Sequence, residues 1–507
     1  MKILFIFPNV DSPGYKPVSI STLSAIAKKR GHEVRLYDTS FFDTDGYHSL
    51  QNFILNNKIG ESIANFLPVN EEKYGLVKTK VDLREDFLKV LNDYRPELVL
   101  VSTLSMEYAL SIFLLRLVKE FDKSIPTLMG GRHCYSDPEG TIADDCVDII
   151  CIGEGEKPLT ELLDCLENKK DYSQAQGLWV KRGGKVIKNS SISYFFELDS
   201  LPYMDLDIYD KRQFFRIFHG KVYKSIDYVM KRGCFEQCGY CQSALVHKWH
   251  CGDKSVRSYS VDRAVAELKY LKEKYSMNFV RFHDETFLAT PVDNLEYLAD
   301  QYIKHVNLPF VADAAPQTVT REKAKILARM GCKSVSLGTE SGSEEFRYKV
   351  LNKKVRNDAV INAFRYFSEA GIRTVMFNLI GFPFERREHI EESITLNRLC
   401  NVTAPSIGFF YPFKGCKLRD VAIDNGLFDP SIEVNGAAQW VRNRPFVSNA
   451  NITYDEYLGI FRTFILYCKL PETMFPEIKK AERDDATFYK LRDLYAEKYL
   501  TMEKNCD

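Results

Sequence analysis

The chain of 507 residues has no excess of either charge. It contains 69 Lys and Arg against 69 Asp and Glu, so its formal net charge at pH 7 is zero. Nucleic acids and anionic membrane surfaces are bound through clustered positive charge. The balanced composition therefore gives no reason to expect nucleic acid or a membrane surface as a partner.

Long hydrophobic runs are also missing. A membrane-spanning helix needs roughly 20 consecutive apolar residues, and the most apolar later segment, residues 109–118, is interrupted by Arg116. The chain begins with a single Lys and a short apolar run that ends at Pro8, which is typical of a first β-strand and not of a signal peptide. The sequence predicts a cytoplasmic protein without a membrane span.

A disulfide framework is absent as well. The 13 cysteines are an odd number spread through a long chain, whereas secreted scaffolds place even numbers in short chains. Ten are scattered, and the other three are Cys234, Cys238 and Cys241. In a reducing compartment such a group is more typical of metal ligation than of disulfides.

The length of the chain indicates two or three domains.

Residues 1–188 alternate apolar strands with amphipathic helices, which predicts a doubly wound α/β domain with a largely parallel sheet. Two glycines at residues 183–184 add the signal of a β-hairpin. Ligands of parallel sheets bind beyond the carboxyl ends of the strands. Glycines at these ends let the backbone approach a large flat ligand closely, although each pair alone is equally consistent with a simple turn. The ends carry Ser102, Leu104, Gly130, Gly131, Gly153 and Glu154.

A polar, Tyr-rich segment, residues 189–223, is predicted to link this domain to a second α/β series at residues 224–428. Six strand candidates separated by helical patterns, with no antiparallel signal, predict a partial parallel (β/α)6 barrel. Its functional groups are expected on loops at the carboxyl ends of the strands. Residues 429–507 are predicted to be a helical C-terminal region, to which the sequence assigns no function. The strand candidates are residues 225–231, 278–283, 310–314, 334–338, 373–381 and 406–411.

The clustered cysteines have three and then two residues between them. Three thiolates at this spacing can hold three irons of a cubane cluster and leave the fourth iron open to chelate a substrate. The same spacing would place three sulfurs on one face of a buried helix. A zinc site is the other alternative, with His247 or Cys251 as a fourth ligand. The flanking Gly233 and Gly239, and the position directly after the first barrel strand, favour a loop that carries a cluster.

The cysteine motif with Tyr240 before its last cysteine resembles the radical S-adenosylmethionine (SAM) superfamily. The segment Gly338-Thr-Glu-Ser-Gly342, with Glu340 at its centre, resembles the segment that binds the methionyl and ribose portions of SAM. Ile380 and Gly381 resemble the stretch that contacts adenine, and the backbone of Tyr240 would lie near it. The resemblance implies a [4Fe-4S] cluster that cleaves SAM reductively, fed by an electron donor such as flavodoxin or ferredoxin.

The resemblance extends to the front of the chain. Residues 128–133 and 147–156 resemble the cobalamin-binding domain of a subfamily that includes class B methylases and anaerobic Mg-protoporphyrin ester cyclase. It implies that Ser102, Leu104, Gly130, Gly131, Gly153 and Glu154 contact cobalamin. Methionine synthase-type domains carry an Asp-x-His-x-x-Gly loop after the first strand, whereas this chain has Asn9-Val-Asp-Ser-Pro-Gly14. We therefore expect bound cobalt to have no protein His ligand.

The resemblance implies an enzyme that methylates an unactivated carbon or phosphorus centre of a small-molecule, lipid or peptide substrate. One alternative keeps both cofactors but performs cyclisation, oxidation or rearrangement, and another lacks corrin in the front domain. A non-enzymatic iron–sulfur or cobalamin carrier would want four clustered cysteines. His283-Asp-Glu285 is expected to hydrogen-bond within the barrel mouth and not to bind metal, and Cys416 is expected to be a packed thiol.

Overall fold

A computed structural model describes residues 1–10, 13–44, 69–189, 194–245, 256–433 and 444–500. The front part forms β1 (Lys2–Phe7), α1 (Val18–Lys29), β2 (Glu33–Asp38), α2 (Leu83–Tyr94), β3 (Leu98–Ser102), α3 (Tyr108–Phe121), β4 (Thr127–Gly130), α4 (Arg132–Ser136), α5 (Pro138–Ala143), β5 (Ile149–Cys151), α6 (Glu156–Glu167), β6 (Leu178–Arg182) and β7 (Lys185–Lys188).

The seven front strands form one sheet in the order β2-β1-β3-β4-β5-β6-β7. The first five are parallel, and β6 and β7 add an antiparallel hairpin at the β5 edge. Along β1, Ile3, Phe5 and Phe7 face one apolar core while Leu4 and Ile6 face the other. A strand buried on both faces belongs to a sheet covered by helices on both sides. The predicted doubly wound domain and its hairpin are confirmed.

The rest of the chain forms β8 (Phe215–Phe218), β9 (Lys221–Tyr228), β10 (Lys231–Arg232), β11 (Arg257–Ser258), α7 (Val261–Tyr275), β12 (Phe279–Phe282), α8 (Val292–His305), β13 (Phe310–Ala314), α9 (Arg321–Arg329), β14 (Cys332–Glu340), α10 (Glu344–Lys349), α11 (Asn357–Glu369), β15 (Arg373–Ile380), α12 (Arg387–Leu399), β16 (Ala404–Phe409), α13 (Lys417–Asp424), α14 (Tyr454–Lys469), α15 (Phe475–Ala481) and α16 (Asp485–Tyr495).

The second sheet has the order β16-β15-β14-β13-β12-β9-β8. Six of its strands, β9 and β12 to β16, are parallel, as the (β/α)6 prediction requires. The seventh strand, β8, pairs antiparallel with β9. The predicted partial parallel barrel is confirmed, and the sequence contains no signal for the antiparallel β8–β9 pair.

The β8–β9 hairpin lies in the segment predicted as a linker. Its turn consists of His219 and Gly220, both with positive φ (55° and 74°). Two-residue hairpin turns of this kind favour Asn, Asp or Gly at the first position. Because this turn has His219 there, its sequence did not predict a hairpin. The same segment also supplies buried apolar residues to the core that joins the front sheet to the barrel, among them Leu201, Met204 and Leu206.

The C-terminal helices pack against the barrel. Helix α14 lies on β16 and α12, and Phe461 stacks on Phe409 with ring centroids 4.9 Å apart. The predicted helical character is confirmed for residues 454–495. Within the described ranges, no helix has both the length and the apolarity needed to cross a membrane.

Candidate functional site

A cavity of about 390 Å³ lies between the carboxyl ends of the front strands and the mouth of the barrel. From the barrel side it is lined by Gly233, Gln242 and His283. One space therefore reaches from the predicted corrin site to both ends of the segment that carries the clustered cysteines. The six residues predicted to contact cobalamin all line it: Ser102, Leu104, Gly130, Gly131, Gly153 and Glu154.

The shape of the cavity depends on Gly131. This residue has a φ of 99°, and a Cβ placed on it would overlap the carbonyl group of Thr103. A Cβ on the neighbouring Gly130 would make only an ordinary contact of 3.7 Å with Cys151. Gly131 thus lets the loop after β4 pass directly against the loop after β3. The lining also includes the apolar side chains Phe5, Phe7, Leu100 and Leu128. An apolar floor with a glycine rim fits a large, flat macrocycle such as a corrin.

Among the described residues that line the cavity, the one histidine is His283, which belongs to the barrel. Its Nε2 lies 2.7 Å from Oδ1 of Asp227, and the ring of Tyr15 meets it edge-on at 5.3 Å. Burial lowers the pKa of His283, so the ring is neutral at pH 7. That bound cobalt has no protein His ligand stays a prediction.

Asp227 is the centre of a buried ionic group between the two domains. Lys16 Nζ lies 2.8 Å from its carboxylate, and Arg216 Nη2 lies 2.8 Å from the other oxygen. Burial alone would raise the pKa of Asp227, but the charges of Lys16 and Arg216 outweigh it and hold the pKa well below its usual range. Asp227 is therefore an anion that fixes the ring of His283.

The other two members of the His283-Asp-Glu285 motif also hydrogen-bond within the barrel mouth, as predicted. Asp284 accepts the backbone N–H groups of Met230 (3.1 Å) and Lys231 (2.6 Å), and burial raises the pKa of Asp284 to about 7. Glu285 accepts a hydrogen bond of 2.6 Å from Arg132 of the front domain. These bonds fix the start of the cysteine-bearing segment relative to β12.

The segment from Gly233 to Cys241, here called the cysteine loop, is not helical. The alternative that its cysteines form a buried helical stripe is therefore wrong. The thiols of Cys234 and Cys238 each lie close enough to Cys241 for its charge to affect them. Burial raises the pKa of Cys234 and of Cys238 to about 12, so bound metal has to displace their protons.

That the three thiols hold a cubane cluster stays a prediction. A cubane offers a separate iron to each thiolate, so its ligands do not have to converge on one ion. In the part of the chain that the structure describes, no three His, Cys, Asp or Glu side chains converge as ligands of one metal ion. The possible fourth zinc ligands, His247 and Cys251, lie outside the described residues. The expectation for Cys416 is confirmed, since its thiol is buried and burial raises its pKa to about 12.

The cysteine loop is fixed from the barrel side by backbone bonds. The N–H of Gly239 donates to the carbonyl of Leu351 (2.8 Å), and the carbonyl of Gly239 accepts from the N–H of Leu418 (2.8 Å). Within the loop, Glu236 forms an ion pair of 3.0 Å with the buried Lys353. The segment after α10 and the start of α13 therefore hold the middle of the loop.

Glu340, predicted to contact SAM, ends β14 in an unusual conformation. Its φ is 67°, and the register with β15 shifts between Gly338 and Glu340. A bulge of this kind redirects a side chain at the end of a strand. Glu340 is buried next to Tyr240 and Lys353; burial raises its pKa, and the charge of Lys353 partly opposes this. The structure thus brings Glu340 and Tyr240 together beside the cysteine loop.

The predicted adenine-contacting residues Ile380 and Gly381 end β15. The ring of Tyr240 packs edge-on against the neighbouring Phe382 at 5.8 Å. The N–H of Gly381 donates to Glu385 (2.7 Å), which also accepts from the hydroxyl of Tyr457 on α14 (3.1 Å). Tyr240, Glu340 and the residues from 380 onward therefore share one region of the barrel. None of the four predicted SAM contacts lines the 390 Å³ cavity.

We expect Glu385 to make the protein less stable as the pH rises from about 4.5 to 8. Burial raises its pKa from 4.5 to about 8. In this range the folded state keeps a proton that the unfolded chain releases, so stability is fully present below the lower value and is lost towards the upper one. Glu385→Gln should remove about 3 kcal/mol of this loss between pH 5.5 and pH 8.

Urea unfolding at pH 5.5 and pH 8 would measure the effect of Glu385→Gln. Glu388→Gln, on an exposed side chain of the same region, is the matched control and should behave as the wild type. An equal pH dependence of the free energy of unfolding in the wild type and Glu385→Gln would contradict the prediction.

Several cavity residues have no signal in the sequence. Tyr15, Arg232 and Arg257 line the cavity, yet none of them belongs to a motif that the sequence analysis singled out. Arg257 lies beyond the cysteine motif and reaches the cavity only because β10 and β11 pair. Tertiary pairing of this kind cannot be read from local spacing.

Two family models match this chain, one in the front domain and one in the barrel. The model of the Radical SAM superfamily matches residues 228–396, and that of the B12 binding domain matches residues 62–163. The "Uncharacterized methyltransferase PH0819" of Pyrococcus horikoshii is 25% identical over 345 residues, covering 68% of this chain and 72% of that protein. The "Cytidylyl-2-hydroxyethylphosphonate methyltransferase" of Streptomyces wedmorensis is 24% identical over 459 residues, covering 82% of this chain and 79% of that protein.

Solved structures share the architecture. TsrM from Kitasatospora setae, with cobalamin and a [4Fe-4S] cluster bound, has a TM-score of 0.65 at 14% identity and covers 100% of this chain and 99% of that chain. OxsB with aqua-cobalamin and S-adenosylmethionine bound has a TM-score of 0.63 at 15% identity, covering 99% and 71%. At these identities the likeness concerns the fold, and it confirms the predicted order of α/β domain, partial barrel and helical region.

Proposed function

The chain belongs to the radical SAM enzymes that carry a B12-binding domain, and on that premise we propose that it methylates an unactivated carbon or phosphorus centre of a small molecule. The observation that carries the proposal is the single cavity that joins the six predicted cobalamin residues to both ends of the cysteine loop. Two relatives named as methyltransferases support methyl transfer over cyclisation or rearrangement.

The proposed binding residues follow from this arrangement. Cys234, Cys238 and Cys241 hold the cluster, while Tyr240, Glu340, Ile380 and Gly381 contact SAM. Ser102, Leu104, Gly130, Gly131, Gly153 and Glu154 contact cobalamin. When bound, the cluster supplies the electron that breaks a carbon–sulfur bond of SAM, and cobalamin supplies a carrier for a methyl group. The proposed cobalamin contacts line the cavity, whereas the proposed SAM contacts lie in and next to the cysteine loop, outside that lining.

The proposed turnover consumes two SAM molecules, one substrate hydrogen and two electrons. It yields methylated product, S-adenosylhomocysteine, 5′-deoxyadenosine and methionine. Because the chain itself supplies no electrons, we propose a flavodoxin or ferredoxin as the donor in a reducing cytoplasm.

Isotope transfer tests methylation directly. Anaerobically purified protein with measured iron and cobalt contents would be incubated with methyl-labelled SAM, a reductant and trial substrates. Cytidylyl-2-hydroxyethylphosphonate and tryptophan, which the names of two similar proteins suggest, are the first probes. We expect S-adenosylhomocysteine and 5′-deoxyadenosine in equal amounts, with label in the product. With the true substrate, formation of 5′-deoxyadenosine without S-adenosylhomocysteine or label would favour a cyclase-like reaction instead.

A further inference from the structure

The front domain holds the cysteine loop at its beginning. Arg232, directly before Gly233, places Nη1 2.7 Å from the carboxylate of Glu156. Its partner in the β10–β11 ladder is Arg257, which donates to both oxygens of Glu154 at 2.7 and 2.8 Å. Two acidic residues of the front domain therefore bind both strands of the ladder from which the loop leaves.

The front domain also holds the residues that follow the loop. Gln242 donates through Nε2 to the hydroxyls of Ser105 (3.1 Å) and Ser136. The hydroxyl of Ser243 accepts a hydrogen bond of 2.7 Å from Nη1 of Arg132. The polypeptide just before Cys234 and just after Cys241 is thus attached to the front domain, while its middle is attached to the barrel.

The ionic contacts at the beginning are directional and poorly exposed. The side chains of Arg257 and Glu156 are 9% and 6% exposed. A two-pronged arginine–carboxylate pair fixes orientation as well as distance. Removing one charge leaves its partner buried without compensation, which is strongly destabilising for the local structure. These pairs therefore fix both the position and the orientation of the residues from which the cysteine loop begins.

The same front-domain residues line the cavity. Arg132, Glu154 and Glu156 all face the space in which the proposed function places cobalamin. The carboxylate of Glu154 accepts hydrogen bonds from Arg257 and from the N–H of Phe195, so it binds the β10–β11 ladder while the residue lines the cavity. A ligand that fixes the loops after β4 and β5 would also fix the β10–β11 ladder and Ser243, which those loops bind.

We propose that Glu154, Glu156 and Arg132 are positioning residues for the cysteine loop, and that cobalamin in the cavity orders this loop through them. Linkage makes the coupling reciprocal, so order in the loop also favours cobalamin binding. The positioning rests on the contacts alone, and only the coupling to cobalamin rests on the proposed function. The B12-binding domain would then act as a scaffold for the cluster site besides carrying its own cofactor.

Hydrogen–deuterium exchange of the full chain, with and without hydroxocobalamin, tests the proposal. In Glu154→Gln/Glu156→Gln, exchange of peptides covering residues 231–245 should become roughly tenfold faster or more, because the beginning of the loop loses its partners. Hydroxocobalamin should slow this exchange in the wild type and no longer in the variant. Arg132→Gln, at the other end, should also accelerate it.

Lys414→Met is the matched control. Lys414 forms an ion pair of 2.6 Å with Asp137 of the front domain, away from the cavity lining. The Lys414→Met substitution removes a contact between the same two domains and should leave exchange in residues 231–245 unchanged. Equal acceleration in this control would show general loosening and overturn the proposal.

Unchanged exchange in the glutamate variant would also overturn it, and Arg132→Gln decides if that variant does not fold. If the wild type binds no hydroxocobalamin, the proposed cofactor and the coupling fail together, while the exchange without ligand still decides positioning. A failure of methyl transfer alone would leave both exchange results standing.

Discussion

Replacing Cys234, Cys238 and Cys241 together by Ala should reduce bound iron from about four atoms per chain to none and abolish SAM cleavage. The three thiols are the proposed metal ligands, and a cubane cannot be held without them. Cobalamin binding should persist, because no residue of this triad lines the cavity. Iron and cobalt analysis of anaerobically purified protein, with its absorption spectrum, measures both effects.

Cys416→Ala is the appropriate control for the triple variant. Cys416 is buried near Cys241 but lies outside the motif, at the start of α13. It should keep the iron content and spectrum of the wild type. If the triple variant were reconstituted to a comparable cubane spectrum, the assignment of the ligands would be wrong.

Gly131→Ala should weaken hydroxocobalamin binding by about one to two orders of magnitude. The residue has a φ of 99°, which costs roughly 1–3 kcal/mol in any other residue type. A methyl group there would also overlap the carbonyl of Thr103 and push the loops after β3 and β4 apart. Because these loops shape the cavity, the loss should appear as a raised Kd in an absorbance titration, with iron content unchanged.

The neighbouring Gly130→Ala gives a matched comparison. Its added Cβ would meet only Cys151, at an ordinary 3.7 Å, so we expect affinity within a few-fold of the wild type. Equal losses in both variants would mean that the glycines matter for the space they leave to the ligand, and that the close approach of the two loops does not explain the loss.

The sequence predicted what local patterns determine. Apolar strands alternating with amphipathic helices identified both sheets, and strand ends with glycines identified six residues that do line one cavity. For β13, predicted at residues 310–314, the predicted and observed bounds agree at both ends. These features follow from hydrophobic periodicity and from the backbone freedom of glycine, and both depend only on residues that are neighbours in the sequence.

What the sequence did not predict depends on distant partners. The sequence assigned Glu154 to cobalamin but did not predict that its carboxylate also accepts a hydrogen bond from Arg257, 103 residues away. Residues 429–507 had no assigned function, yet Tyr457 donates to Glu385 in the loop after β15. Such pairs are set by tertiary packing, and a single sequence contains no pattern that links the two members.

The buried contact between Lys16 and Asp227 means that the two halves cannot easily be separated. The side chain of Lys16 is 1% exposed, and that of Asp227, on the first strand of the parallel barrel, is fully buried. Parting the domains would leave both charges unpaired and would open the apolar core that runs between the sheets. A chain nicked once by a protease between the halves should therefore remain a noncovalent complex of two fragments that elute together from a sizing column.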